Sequence, residues 1–192
     1  MARIGLIPIS GKPYHAGHDG LVRLAAKEND EVHVFVSLSD RDNISGSGME
    51  RVWQQLIVPS LPDNVKVTYG GSPVGNVFKE VGDANKEGSP NTYSIYSDPT
   101  DAATNYKTLD RYAGDLIARG QLKLRPVART STVDISGTQM RQWFDADDKQ
   151  SFISGLPKSI DGNKVWEILK SAKLITPLAK KKPGAAKKTT PG

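Results

Sequence analysis

Pro8-Ile9-Ser10-Gly11-Lys12-Pro13-Tyr14-His15-Ala16-Gly17-His18-Asp19-Gly20 is the stretch that decides how this chain is read. Ahead of it, Ile4 to Ile9 is apolar without alternation, the pattern of a strand buried on both faces. Behind it, Leu21, Leu24 and Ala25 fall at helical spacing. The stretch is therefore a strand-to-helix turn in which Gly and Pro permit tight bends. Such a turn offers backbone N–H groups and the positive end of a helix to anions. Two of the chain's three histidines, His15 and His18, stand here on one side of a helical turn, close to Lys12. That is the composition of a phosphate site. Helix caps and loops use the same residue types for purely structural ends, and spacing alone does not separate the two.

Outward from this turn, strand and helix patterns alternate. Strands are predicted at Glu31 to Leu38, Val65 to Tyr69, Thr92 to Ser97 and Gln121 to Ala128. Met49 to Val58 predicts a helix with Met49, Val52, Trp53 and Leu56 on one face, stopped by Pro59 and Pro62. Pro73 to Asn85 predicts another, packed through Val74, Val77, Phe78 and Val81. A long one is expected from Asp101 to about Arg119, using Leu109, Tyr112, Ala113, Leu116 and Ile117. Further helices begin near Ile135 and span Ile160 to Ala172. Alternation of this kind predicts a three-layer α/β/α fold around a mostly parallel five-stranded sheet. Right-handed crossovers gather the loops after strands one, two and four near one edge.

With 192 residues the chain has room for one domain, expected over 1–175. It has no cysteine, which excludes disulfides, thiolate zinc sites and a cysteine nucleophile. No apolar run reaches membrane-spanning length, and Met1-Ala2-Arg3-Ile4 leads straight into a strand, so a cytoplasmic protein without membrane contact is expected. The net charge of +5 sits entirely in the tail, 176–192, where Lys180, Lys181, Lys182, Lys187 and Lys188 meet no acid. Residues 1–175 are formally neutral. A Lys/Pro/Ala/Gly-rich tail builds no core and is expected to be disordered. Its alternative role is weak, salt-sensitive contact with nucleic acid or an acidic partner. The sequence fixes no oligomeric state, and a homo-oligomer is compatible with it.

Two segments carry chemistry together. His15-Ala16-Gly17-His18 follows the first strand, and Ile135-Ser136-Gly137-Thr138-Gln139-Met140-Arg141 follows the fifth. Histidines donate hydrogen bonds to phosphate oxygens, and Gly17, lacking a side chain, lets a phosphate approach the backbone between them. Lys12 reads as a mobile cation suited to a triphosphate. Ser136 with Gln139 forms a capping-box pattern, and a capped helix start is also an anion site. Arg141 offers a two-pronged phosphate grip. Asp98 precedes Pro99 at the end of the fourth strand, where it either caps a helix or lies near a nucleotide. Gly46-Ser47-Gly48 is a lone Gly-x-Gly in a loop and a weak dinucleotide signal. His33, flanked by Val32 and Val34, reads as structural. Trp53, Trp143 and Trp166 read chiefly as core, with stacking on a base the alternative for Trp143.

The pair of motifs resembles the H-x-G-H and I-S-[SG]-T-x-x-R signatures of the nucleotidylyltransferase superfamily, over roughly residues 3 to 150. That group includes NMN adenylyltransferases, cytidylyltransferases, pantetheine-phosphate adenylyltransferases and FAD synthetases. The resemblance implies a Rossmann-like domain that moves a nucleoside monophosphate onto a phosphorylated acceptor and releases diphosphate. His18 would stabilise the transition state and His15 contact the triphosphate, with Lys12 as the third catalytic group. Ile9, Ser10, Gly17, Asp98, Ser136, Thr138 and Arg141 would bind the nucleotide, while Asp40 and Arg41, after strand two, would face the acceptor. ATP is the expected donor, with CTP as the alternative, and Mg²⁺ would bridge phosphates rather than occupy a protein metal site. Ile-Ser-Gly-Thr, with Phe152 and Leu156-Pro157 beyond it, is similar to the NMN adenylyltransferases. The first loop departs from the commoner Gly-x-Phe-Asp/Gln-Pro form, and no acceptor signature lies between strands three and four. The whole looks like phage-encoded members of the superfamily. The alternative is a non-catalytic nucleotide-binding or assembly protein whose Lys tail touches nucleic acid.

Overall fold

The computed structural model describes residues 1–128 and 135–180, the side chains of 173–180 excepted. The chain forms two compact units. The first comprises Met1–Ser10, Gly17–Ser37 and Leu61–Asp134; the second comprises Gly11–Ala16, Leu38–Ser60 and Ile135–Gly192. The expected tail from 176 is helical as far as Lys180, and its remainder lies outside the described residues.

The first unit is built on a parallel sheet of β1 (Arg3–Ile9), β2 (Glu31–Val36), β3 (Val65–Tyr69), β4 (Thr92–Ser97) and β5 (Leu122–Pro126). Their order is β3-β2-β1-β4-β5, so the most apolar strand, β1, is central. Every pairing is parallel, with Gly5 opposite Val32 and Ser94, and Leu6 opposite His33 and Ile95. Alternation sends Ile4, Leu6, Tyr93 and Ile95 to one face, against Val77, Val81, Leu109 and Leu116 from two helices. These are α4 (Pro73–Glu87) and α6 (Leu109–Ala118). The other face receives α1 (Ala16–Glu28). Gly5 makes that approach possible: a Cβ there would lie 2.9 Å from Asn29 Nδ2 and 3.2 Å from the Tyr96 ring.

Local signals set the helix ends. Ser72 caps α4, accepting from Gly75 N at 3.0 Å with Pro73 behind it, and left-handed Gly88 closes it. The single long helix expected from Asp101 to Arg119 is instead two, α5 (Pro99–Asn105) and α6. The break falls where Tyr106 leaves helical geometry and turns into the core, its ring stacked on Phe78 at 5.6 Å. Burying the ring outweighs keeping the helix continuous. Tyr112 and Ile117, expected in the core, lie at the surface.

In the second unit, α2 (Gly46–Val52) continues through a π-helical turn, Trp53–Ile57, into α3 (Val58–Ser60). Pro59 and Pro62 are expected to stop this helix; it runs one residue past Pro59 and ends at Ser60, ahead of Pro62. A widened turn, in which Val58 N bonds Trp53 O, gives the proline ring room in the preceding turn. The extra residue rotates the apolar stripe, so Ile57, rather than the expected Leu56, is fully buried. The unit is completed by α7 (Gly137–Asp145), α8 (Lys149–Ser154) and α9 (Gly162–Lys180). Phe144, Phe152 and Trp166 form a three-ring cluster with centroids 5.3 to 5.5 Å apart, and Tyr14 meets Trp53 edge-on at 4.7 Å. Trp53 is thus core, as expected, whereas Trp166, although part of the ring cluster, is only half-buried, as is Trp143. Among the described residues no helix is long and apolar enough to cross a membrane.

Candidate functional site

The 11–16 loop, the 38–45 loop and the start of α7 meet in the second unit, around Arg141. Ser136 caps α7, its Oγ accepting from Gln139 N at 3.1 Å, as the capping-box pattern predicts. One turn on, Arg141 is buried. Its Nη1 donates to the Lys12 carbonyl at 2.8 Å and its Nη2 to Thr138 Oγ1 at 3.2 Å. Its Nε donates to Asp42 at 2.8 Å. The Lys12 bond joins the two motif segments directly, across 129 residues of sequence.

Asp42 is the functional candidate that sequence reasoning missed. Arg41 and Ile44 exchange backbone hydrogen bonds across a tight turn, with Asp42 at φ 53°. Asp is one of the few residues that adopts this left-handed geometry readily, and here it aims the carboxylate at Arg141. The Asp-Asn pair marks a turn in the sequence, but nothing local names a partner ninety-nine residues away.

Asp40, expected at the acceptor, accepts from Gly46 N at 2.7 Å and so holds the start of α2. Arg41 is exposed. Lys12, expected to be mobile, is only 4% exposed. Burial pushes its ammonium down to about 8, with the nearby Asp40 charge opposing the shift. His15 is also buried, at 2% exposure, whereas His18 is half-exposed in the first turn of α1. The first N–H of that helix, at Ala16, is satisfied by the Gly155 carbonyl at 2.9 Å.

In the first unit, Ile9 and Ser10 lie at the end of β1, and Gly17 is in the first turn of α1. Asp98 caps α5, accepting from Asp101 N at 2.8 Å, so its structural role is realised. Just before it, Ser97 Oγ is buried and has no hydrogen-bond partner among the described residues. An unsatisfied buried hydroxyl at the carboxyl end of a parallel sheet is where such folds bind ligands. His33 is tied to Glu80 at 2.8 Å, as a structural residue would be. Among the described residues no three His, Asp or Glu side chains gather to hold a metal.

No family model and no curated protein matches the sequence. Solved structures do match. Thermotoga maritima TmcAL bound with alpha-thio ATP superposes with a TM-score of 0.52 at 12% identity, over 89% of this chain and 56% of that one. A bifunctional NMN adenylyltransferase/ADP ribose pyrophosphatase from Francisella tularensis gives 0.52 at 14% identity, over 89% and 49%. The fold is Rossmann-like. The chain spans about half the length of these structures.

Proposed function

We propose that the protein is a nucleotidylyltransferase that transfers a nucleoside monophosphate, AMP from ATP, to a phosphorylated acceptor and releases diphosphate. One observation carries this reading: the Arg141–Lys12 bond that ties the histidine loop to the start of α7. Two anion-binding turns with no reason in sequence to be neighbours are thereby held together. Nucleotidyl transfer needs little more than such positioning, with donors placed for charge developing on the α-phosphate.

In this reading His18 donates to the α-phosphate as the acceptor oxygen attacks. Lys12, His15, Ser136, Thr138 and Arg141 hold the β- and γ-phosphates, with Ile9, Ser10, Gly17 and Asp98 along the nucleotide. Asp40 and Arg41 would contact the acceptor from the 38–45 loop. Mg²⁺ would come with the triphosphate rather than sit on a protein site, and would supply charge neutralisation there. The choice of ATP is in keeping with a fold neighbour bound to alpha-thio ATP, and NMN as acceptor with one named as an NMN adenylyltransferase.

A second reading, a nucleotide-binding module without catalysis, is favoured by the way every nitrogen of Arg141 is engaged within the protein. Diphosphate release separates the two. ATP or CTP with Mg²⁺ would be offered with NMN, nicotinate mononucleotide, phosphopantetheine, FMN, phosphocholine and glycerol phosphate. Release with one acceptor, reduced about 10²-fold or more in His18→Ala, is expected. ATP binding without release across the panel would favour the binding module.

A further inference from the structure

A polar concavity lies wholly within the first unit, on the sheet face that carries α1, and it plays no part in the function proposed above. It is a groove of about 390 Å³ over β4 and β5, lined in part by Glu28, Asn29, Ser94, Tyr96, Lys123 and Arg125. Its volume lies in the range of small-molecule sites.

The floor is a fixed hydrogen-bond network. Tyr96, 1% exposed, donates to Glu28 Oε1 at 2.7 Å and accepts from Asn29 Nδ2 at 2.8 Å. Asn29 Nδ2 also donates to the Ala25 carbonyl at 2.9 Å. Glu28 in turn accepts from Arg125 Nε at 3.2 Å and Nη2 at 2.8 Å. These bonds, Arg125 foremost, hold the Glu28 carboxyl below its usual range, so the pair is charged and mutually neutralised.

What remains is a positive excess. Lys123 stands opposite Ser94 in the β4–β5 register, on the same face as Tyr96 and Arg125. Among the described residues the Lys123 ammonium forms no direct ion pair, its charge acting on Glu28 only at a distance, and the Ser94 hydroxyl makes no hydrogen bond. Arg125 keeps Nη1, which Glu28 does not take. A third cation, Arg3, lines the same groove and is paired with Asp30. Lysine on an edge strand also discourages strand-to-strand aggregation, but that task needs neither a concavity nor a buried network beneath it. The lysine-rich tail of the chain has the same sign and is not a complementary occupant.

We propose that this groove binds a small phosphorylated molecule, its phosphate held by Lys123 Nζ, Ser94 Oγ and Arg125 Nη1. Inorganic phosphate and a phosphomonoester share that chemistry, and the space beyond a phosphate group favours the ester.

The test is an amide ¹H–¹⁵N NMR titration of the full chain with inorganic phosphate and, separately, with ribose 5-phosphate. Saturable shifts at Ser94, Lys123 and Arg125 are expected with both, at lower concentration for the ester. Lys123→Gln changes an exposed side chain and should weaken the response about tenfold, the loss of one charge-assisted bond; Lys123→Arg should retain it. Equal response to both probes would assign the site to free phosphate and overturn the ester preference. Absence of shifts at these residues, or a Lys123→Gln titration unchanged from wild type, would overturn the site itself.

Discussion

Arg141→Lys isolates what the arginine does in the absence of any ligand. The substitution keeps the positive charge but cannot make three directed bonds at once. The Nη1 bond to the Lys12 carbonyl is buried and charge-assisted, worth about 2 kcal/mol. The Asp42 carboxylate is 61% exposed, so its pair with Nε is screened and contributes only about 0.5 kcal/mol. The longer contact to Thr138 adds about 0.5 kcal/mol more. With one of the two weaker partners regained by the lysine, the net cost should be about 2.5 kcal/mol. Urea unfolding of wild type, Arg141→Lys and Asp42→Asn measures it, with Asp42→Asn expected to cost about 0.5 kcal/mol. If Arg141→Lys unfolds with wild-type stability, or if Asp42→Asn costs as much as Arg141→Lys, the assignment of the Lys12 carbonyl as the principal partner is wrong.

Two pH dependences follow from buried or paired groups. Lys12, with its ammonium pushed down to about 8, is charged below that pH and neutral above it. ATP affinity should therefore fall as pH rises through about 8, and the inflection should vanish in Lys12→Gln; a wild-type profile flat through that range would remove Lys12 from the triphosphate. Conversely, the hydrogen bond to Glu80, reinforced by Glu80 and Glu31 charge against the cost of burial, raises His33 above its ordinary 6.5. Its stabilisation is complete below the unfolded value and lost as pH rises through the folded one. His33→Gln should thus destabilise the protein more at about pH 6 than at about pH 9, and equal losses in urea unfolding at the two values would contradict the ion pair.

Strands were the most legible part of the sequence. β3 and β4 have the bounds their composition predicts, because a short alternating run of β-branched and aromatic residues between turn residues has few other places to go. Caps were legible too: Ser136 and Asp98 do what their neighbours Gln139 and Pro99 suggest. The failures share a cause. The break at Tyr106 and the π turn before Pro59 are choices made by packing, which no local propensity records. At the candidate site, Lys12 reads as an exposed loop cation because lysine in a polar loop usually is one. Its burial comes from segments that reach it from far along the chain. Asp42 was invisible for the same reason, since its meaning lies in Arg141.

The central claim is attack on the α-phosphate of a nucleoside triphosphate, and ³¹P NMR of the reaction reads it directly. With ATP, Mg²⁺ and the acceptor that gives turnover, the account predicts diphosphate together with a new pyrophosphate-linked product, in equal amounts and strongly reduced in His18→Ala. Release of orthophosphate with ADP would place the broken bond at the γ-phosphate and contradict it.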